Sequence, residues 1–222
     1  MIEIRQKEVL RYLGYRRGNL PDAELLQKIA VCESALQAAA EPRSTYLRLP
    51  LQITGEDSFQ VDGHSFVSRD LTRNLQDCRE VFLFAATLGI GVDRLIRRAT
   101  ATKMSDAVIY QAAGAEMIES YCNRINEELR QQVLQEGLYL KPRFSPGYGD
   151  MPLTAQPVVC RMLNSAKRIG LTLTDSLIMM PSKSVTAFIG ITPKPQKNHM
   201  KDCRSCKKTN CAFRAEDADQ GE

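Results

Sequence analysis

"VFLFAATLGIGVDRLIRR", residues 81–98, holds the junction on which the fold turns. Val81 to Thr87 form a short, almost wholly apolar run, and turn residues follow it. Such a run is a strand buried on both faces rather than an amphipathic one. After Gly89 and Gly91 the pattern changes. Val92, Leu95 and Ile96 recur at helical spacing, with Asp93, Arg94, Arg97 and Arg98 between them, as on an amphipathic helix. A glycine pair between strand and helix is also part of the dinucleotide-binding fingerprint. That fingerprint needs a third glycine three residues on, and Arg94 stands there. The reading is therefore a tight strand-to-helix turn at the centre of a mixed fold.

Upstream, the period switches in the other direction. "EIRQKEVLRYLG" reads as a helix ending at Gly14. "GNLPDAELLQKIAVCESALQAAA" starts a second helix at Pro21 and Asp22, as helix beginnings favour. In "YLRLPLQIT", residues 46–54, Leu47, Leu49, Leu51 and Ile53 alternate with other residues, which predicts a half-buried strand. Pro50 marks an edge or a bulge there. Asp62-Gly63, between apolar pairs, predicts a hairpin turn, with His64 as a turn residue.

Downstream, Met104, Val108, Ala115, Ile118, Cys122, Ile125, Leu129 and Val133 recur at steps of three, four and seven. They predict one long helix from about 104 to 135. Glu119 falls at the edge of that stripe, where a carboxylate reaches a cleft without full burial. A further helix over "TAQPVVCRMLNSAKRIG", a short segment and the strand "SVTAFIGIT" follow, and Pro193 and Pro195 close the packed part. Helices, then strands, then helices with strands among them predict an α+β or mixed α/β fold rather than strict βαβ alternation.

Composition narrows the class. With 43% apolar and 25% charged residues in 222, the chain can bury a core and is not disordered. No apolar run approaches the roughly 20 residues that span a bilayer, and "MIEIRQKEVL" carries charges where a signal peptide needs apolar residues. The expectation is a cytoplasmic protein. Net charge is +4. Between Lys194 and Arg214 stand seven basic residues and one acid, Asp202, with Phe213 the one aromatic among them, so nucleic acid is not the expected partner.

"RFSPGYGDMP", residues 143–152, fits neither helix nor strand. Pro146 and Pro152 donate no backbone hydrogen bond, and Gly147 and Gly149 permit positive φ or a close approach. A stiff loop with Arg143 at one end and Tyr148 in the middle has the parts of a ligand site, and equally those of a rigid structural loop.

This loop resembles the arginine–proline–glycine–tyrosine loop of the activation domain of cobalamin-dependent methionine synthase. Residues 175–193, "DSLIMMPSKSVTAFIGITP", resemble that domain's later segment, and residues 112–130, "AAGAEMIESYCNRINEELR", its long helix, with Glu119 at the place of a family glutamate. The resemblance spans roughly residues 80–193. It implies a single α+β unit over residues 1–193, with helices in 1–40 and a twisted, largely antiparallel sheet and the long helix in 44–193. It implies S-adenosylmethionine binding through Glu119, Arg143, Pro146, Gly147 and Tyr148. It also implies docking on a cobalamin-binding domain, of methionine synthase or another corrinoid protein, for reductive methylation of cob(II)alamin with an electron donor such as flavodoxin. Arg143 suits the ligand's carboxylate, and Glu119 its ammonium or sulfonium. Asp22 and Asp70 are the candidates for the family's binding aspartate. The family's tyrosine–aromatic pair beyond the closing proline has no counterpart in "KPQKNHM". Without cobalamin or folate domains, the chain is expected to act as a separate subunit. A docking module without the ligand is the alternative.

Residues 194–222 form a basic, cysteine-rich tail with an acidic end. Cys203, Cys206 and Cys211 have a C-x₂-C-x₄-C spacing, with His199 nearby. Two thiolates two residues apart can grip one metal. The set reads as a small zinc site or, with an outside ligand, an iron–sulfur cluster and an electron carrier. Cys32, Cys78, Cys122 and Cys160 read as small buried apolar residues.

Overall fold

The computed structural model describes residues 1–15 and 21–196. Its centre is a six-stranded sheet, order β3-β2-β1-β4-β8-β5, in which every pair is antiparallel. The strands are β1 (Arg43–Ile53), β2 (Ser58–Val61), β3 (His64–Val67), β4 (Glu80–Thr87), β5 (Tyr139–Leu140) and β8 (Ser184–Thr192). A separate pair, β6 (Thr172–Leu173) and β7 (Met179–Met180), forms a small hairpin. The helices are α1 (Gln6–Tyr12), α2 (Ala23–Ala39), α3 (Arg69–Leu75), α4 (Ile90–Thr102), α5 (Met104–Leu134), α6 (Gln156–Leu163) and α7 (Ser165–Ile169). The expected α+β class holds.

β4 shows why residues 81–87 are apolar throughout. Phe82, Phe84 and Ala86 enter one core with α1, α2, α4 and α5. Val81, Leu83 and Ala85 enter a second core on the opposite face, with α3, α6, α7 and the β2–β3 hairpin. Side chains alternate across a strand, so a strand covered on both faces loses its alternation. β1 keeps it, with Leu47, Leu49, Leu51 and Ile53 all on the second core. Pro50 sits where β1 ends its pairing with β4, and β2 pairing begins only at Leu51. The Pro50 carbonyl accepts from Asp62 on the β2 side. Its missing N–H therefore faces the same side, beyond the end of β2 at Val61, so the loss is confined to one bond at the ladder's end.

The glycines of the β4–α4 junction are structural. Gly89 has φ +82°, and a Cβ on Gly91 would lie 2.1 Å from the Ala39 carbonyl oxygen. The turn is tight because α2 ends against it. Asp62 and Gly63 both take positive φ, the geometry of a type I′ hairpin.

Two helical expectations are corrected. Met104 and Val108 are 60% and 51% exposed. The first half of α5 instead buries Ala107, Ile109, Tyr110, Ala113 and Met117, because both α2 and α4 pack on it and widen the buried arc. The single helix expected over 154–170 is a short 3₁₀ turn followed by α6 and α7. Asn164 breaks it at φ +50°, a conformation Asn tolerates better than most residues.

Candidate functional site

The loop after β5 is pinned at both ends. Phe144 exchanges two backbone hydrogen bonds with Phe188 of β8, at 2.9 and 2.8 Å. Gly147 donates to the Met151 carbonyl at 2.9 Å, and Met151 is buried. Gly147 and Gly149 both have positive φ, and a Cβ on Gly149 would lie 2.9 Å from the Asp70 carboxylate and 3.2 Å from the Phe144 ring. Here glycine is required twice over, by backbone conformation and by space. The Asp150 carboxylate accepts from the Ser68 hydroxyl and, at 2.8 Å, from the Arg69 N–H. These bonds, that from Ser68 foremost, hold its carboxyl below the ordinary aspartate range.

Pinning the loop fixes Arg143. Its guanidinium donates from Nη2 to Glu119 Oε2 at 2.9 Å and from Nη1 to Asn123 Oδ1 at 3.0 Å. Glu119 and Asn123 are one turn apart on α5, so they present neighbouring oxygens. The Arg143 side chain is 10% exposed and that of Glu119 36%. The pair lines a cleft together with Ser145 and Pro146 of the loop, Gln156 of α6, Met179 of β7, and Ser184, Val185 and Thr186 of β8. The β7–β8 turn that shapes this wall is tied down from α4, where Asp93 accepts from the Ser182 N–H and hydroxyl. Lys183 lies across Gly114 of α5 and donates to the Gln111 carbonyl at 3.1 Å. Burial lowers the Lys183 pKa.

Of the residues singled out in the sequence, Glu119, Arg143 and Pro146 line this cleft. Gly147 shapes the loop. Tyr148 is 60% exposed at the loop tip, edge-on to Phe144 with ring centroids 5.4 Å apart, and does not line the cleft. Asp22 caps α2, accepting from Leu25 at 2.8 Å, and Asp70 lies under Gly149; neither lines the cleft. Asn123, Gln156 and Thr186 do not stand out in the sequence. Asn123 was open to detection as the residue one turn beyond Glu119. Gln156 and Thr186 carry no sequence signal, since neither sits in a motif. His199, Cys203, Cys206 and Cys211 lie outside the described residues. Among the described residues, no group of three or more His, Cys, Asp or Glu is placed to hold a metal, and no helix is long and apolar enough to cross a membrane.

The antiparallel sheet, the long helix α5 and the cleft between them and the 143–152 loop define an α+β domain of one class. Residues 64–214 match the family described as vitamin B12 dependent methionine synthase, activation domain, and the chain belongs to that family. The match begins at β3 and runs past the packed domain through Cys203, Cys206 and Cys211. Among solved structures, the fold is similar to the MetH reactivation domain bound to AdoHcy, with a TM-score of 0.61 and 17% identity over 84% of this chain and 70% of that one. No curated protein matches.

Proposed function

We propose that the chain binds S-adenosylmethionine in the Glu119–Arg143 cleft and serves the reductive methylation of a corrinoid carried by a partner, methionine synthase or a related protein. The observation that carries this reading is the ion pair itself, at 2.9 Å on a concave surface. An amino acid presents a carboxylate and an ammonium from one carbon. A joined arginine and glutamate offer a complement to both, and the arginine fork accepts a carboxylate in bidentate fashion. The ligand supplies the methyl group; the chain's residues supply placement. Asn123 keeps the guanidinium in the cleft plane, and the pinned loop keeps it from swinging into solvent. The AdoHcy held by the structural neighbour supports the ligand class. Family membership supports a cobalamin-binding domain as partner; the electron for reductive methylation comes, in this reading, from an external donor of the flavodoxin kind.

The test is calorimetric titration with S-adenosylmethionine. Micromolar to sub-millimolar binding is expected, with loss in Arg143→Ala. A second reading, a docking module that has lost the ligand, is favoured by one observation: among the described residues, no aromatic ring lines the cleft. No heat at millimolar ligand selects that reading.

The C-x₂-C-x₄-C segment with His199 is proposed to hold zinc or an iron–sulfur cluster. Thiolate ligands must lose protons to bind, so occupancy falls with acid. Anaerobically purified protein should carry about one equivalent of zinc, or iron with a brown colour. Metal-free protein with three freely alkylated thiols in the tail would remove this site.

A further inference from the structure

Strand β1 has a half-covered edge. On one side β4 pairs with Arg43 to Pro50; on the other, β2 pairs only with Leu51 to Ile53. In an antiparallel strand the N–H and C=O of one residue point to the same side, and successive residues alternate. The Leu51 N–H donates to Arg79, on the β4 side, and the Pro50 carbonyl accepts from Asp62, on the β2 side. Counting back, Leu49, Leu47 and Thr45 face β4, while Arg48, Tyr46 and Ser44 face away from it. Among the described residues, no strand lies on that side of these three, and no backbone hydrogen bond reaches them there. Asp62 closes this window at Pro50, and Pro42, without an N–H, closes it at the other end.

An open edge of this kind is a template for a further strand, and its surroundings limit which strand fits. On the second-core face the edge offers Leu49 and Leu47, both partly buried, and then Thr45, whose hydroxyl accepts from Arg168 at 3.4 Å. On the other face Arg48 stands between the carboxylates of Glu80 and Glu136, at 2.6 and 2.7 Å, so that cluster carries a surplus negative charge. A fitting strand, followed from the Leu49 end, has apolar residues and then an acid on one face, and a cation near Arg48 on the other. Residues 213–217, Phe-Arg-Ala-Glu-Asp, read so. Phe213, Ala215 and Asp217 share one face, and Arg214 and Glu216 the other. They lie outside the described residues.

The direction of the chain agrees. Lys194 is tied to Asp77 at 2.6 Å. Asp77 lies just before β4, whose first residue, Glu80, pairs with Pro50. The described part therefore ends near the Pro50 end of β1, and a strand that starts from there runs antiparallel to β1. Residues 197–212 reach roughly 50 Å when extended, against about 10 Å for the two strand spacings from β8 to β1.

We infer that residues 213–217 add an antiparallel strand to the open edge of β1, with Phe213 opposite Leu49 and Asp217 opposite Thr45, within reach of Arg168. Arg214 then faces Arg48 and meets the surplus charge of Glu80 and Glu136. The added strand closes an edge through which chains otherwise pair with one another. It lies across β4 from β8, which lines the Glu119–Arg143 cleft, so the inference does not depend on the proposed function.

The experiment is amide hydrogen exchange, read by NMR on the full chain and on Glu216→Pro, Asp217→Lys and the double variant Arg168→Glu/Asp217→Lys. In the native protein Ser44, Tyr46 and Arg48 should exchange slowly at every protein concentration. Glu216→Pro removes the N–H that the Tyr46 carbonyl accepts, and should speed all three about tenfold or more. Thr45, Leu47 and Leu49, bonded to β4, should stay slow. Asp217→Lys should act in the same direction, and the double variant should restore protection. Thermal melts confirm folding; if Arg168→Glu fails to fold, the two single variants decide, since neither changes a described residue. Fast exchange of the three amides in the native protein overturns the inference. So does protection that Glu216→Pro leaves intact, because another segment then covers the edge. Protection that grows with concentration overturns it too, because a second copy then fills the window. Asp217→Lys without effect, or a double variant without recovery, overturns the register.

Discussion

Helix α5 carries two glutamate–arginine pairs less than a turn apart, and they are built in opposite ways. Glu116 meets Arg5 at 2.7 Å, and Glu119 meets Arg143 at 2.9 Å. In the first pair the acid is sealed, with a side chain 1% exposed, and the arginine is 41% exposed. In the second the arginine is the covered partner, at 10%, and the acid stands open at 36%. Glu116 also accepts from Ser120 at 2.9 Å, so its lone pairs are turned inward. Arg5 in turn is held further above its ordinary pKa, chiefly by its hydrogen bond to Glu116. The lesson is that a charge pair says little about its use until the burial of each partner is known. A sealed acid fastens one element to another, here the segment before α1 to α5. An open acid beside a covered arginine leaves both charges able to meet a third.

The sharpest way to break this contrast is to remove each arginine. Arg5→Ala leaves Glu116 inside with Ser120 as its remaining side-chain donor. Removing one partner of a buried pair costs roughly 3–5 kcal/mol, and the half-exposed guanidinium places this case at the lower end, about 3 kcal/mol. Urea unfolding should show that loss, while S-adenosylmethionine affinity stays within twofold. A loss under about 1 kcal/mol would mean that water already reaches Glu116, and the two pairs would then be alike.

Sequence gave these two pairs unequal visibility. Glu119 and Arg143 were legible because the 143–152 loop departs from every periodic pattern and carries its own punctuation of proline and glycine. Glu116 was not, because its partner lies 111 residues away, and the helical stripe that predicts burial marks apolar positions only. The same limit hid the broad buried arc of early α5, where small residues replace a clear stripe. It also hid Gln156 and Thr186, which come to line one cleft only when the chain brings α6 and β8 together. The fold class was legible at residues 81–98, where a two-faced strand passes into an amphipathic helix within a few residues.

Arg143 is expected to show the reverse profile. Arg143→Ala should weaken S-adenosylmethionine by about 1.5–3 kcal/mol, the scale of a hydrogen bond between charged groups. It should cost little stability, because Glu119 is left facing water. The exchange Glu119→Arg with Arg143→Glu sharpens the test. It rebuilds an ion pair at the same place with its direction reversed. Stability should return and ligand affinity should not. Full recovery of affinity would show that the cleft needs only a charge pair, and no ordered complement to an amino acid.

The smallest effect concerns what keeps Arg143 in place. The loop is anchored at Asp150, whose carboxylate takes the Ser68 hydroxyl and the N–H groups that open α3. These partners lower its pKa below the ordinary value of about 4. A carboxyl whose folded pKa is depressed contributes its stabilisation in full above the unfolded value, and loses it as pH falls through the folded one. The anchor should therefore be complete at pH 5 and above and should fail only below about pH 4. Arg5 and Glu116 touch no part of it. In NMR titrations, the amide signals of Gly147 and Gly149 should move with a midpoint below that of a free aspartate, and Asp150→Asn should abolish the movement. Asp150→Ala should cost about 1 kcal/mol, as removal of a helix-capping side chain does, together with a small loss of ligand affinity through the freer loop. Loop amides that titrate at or above pH 4 would show Asp150 to be unengaged. The loop's hold on Arg143 would then rest on the Phe144–Phe188 bridge and the burial of Met151.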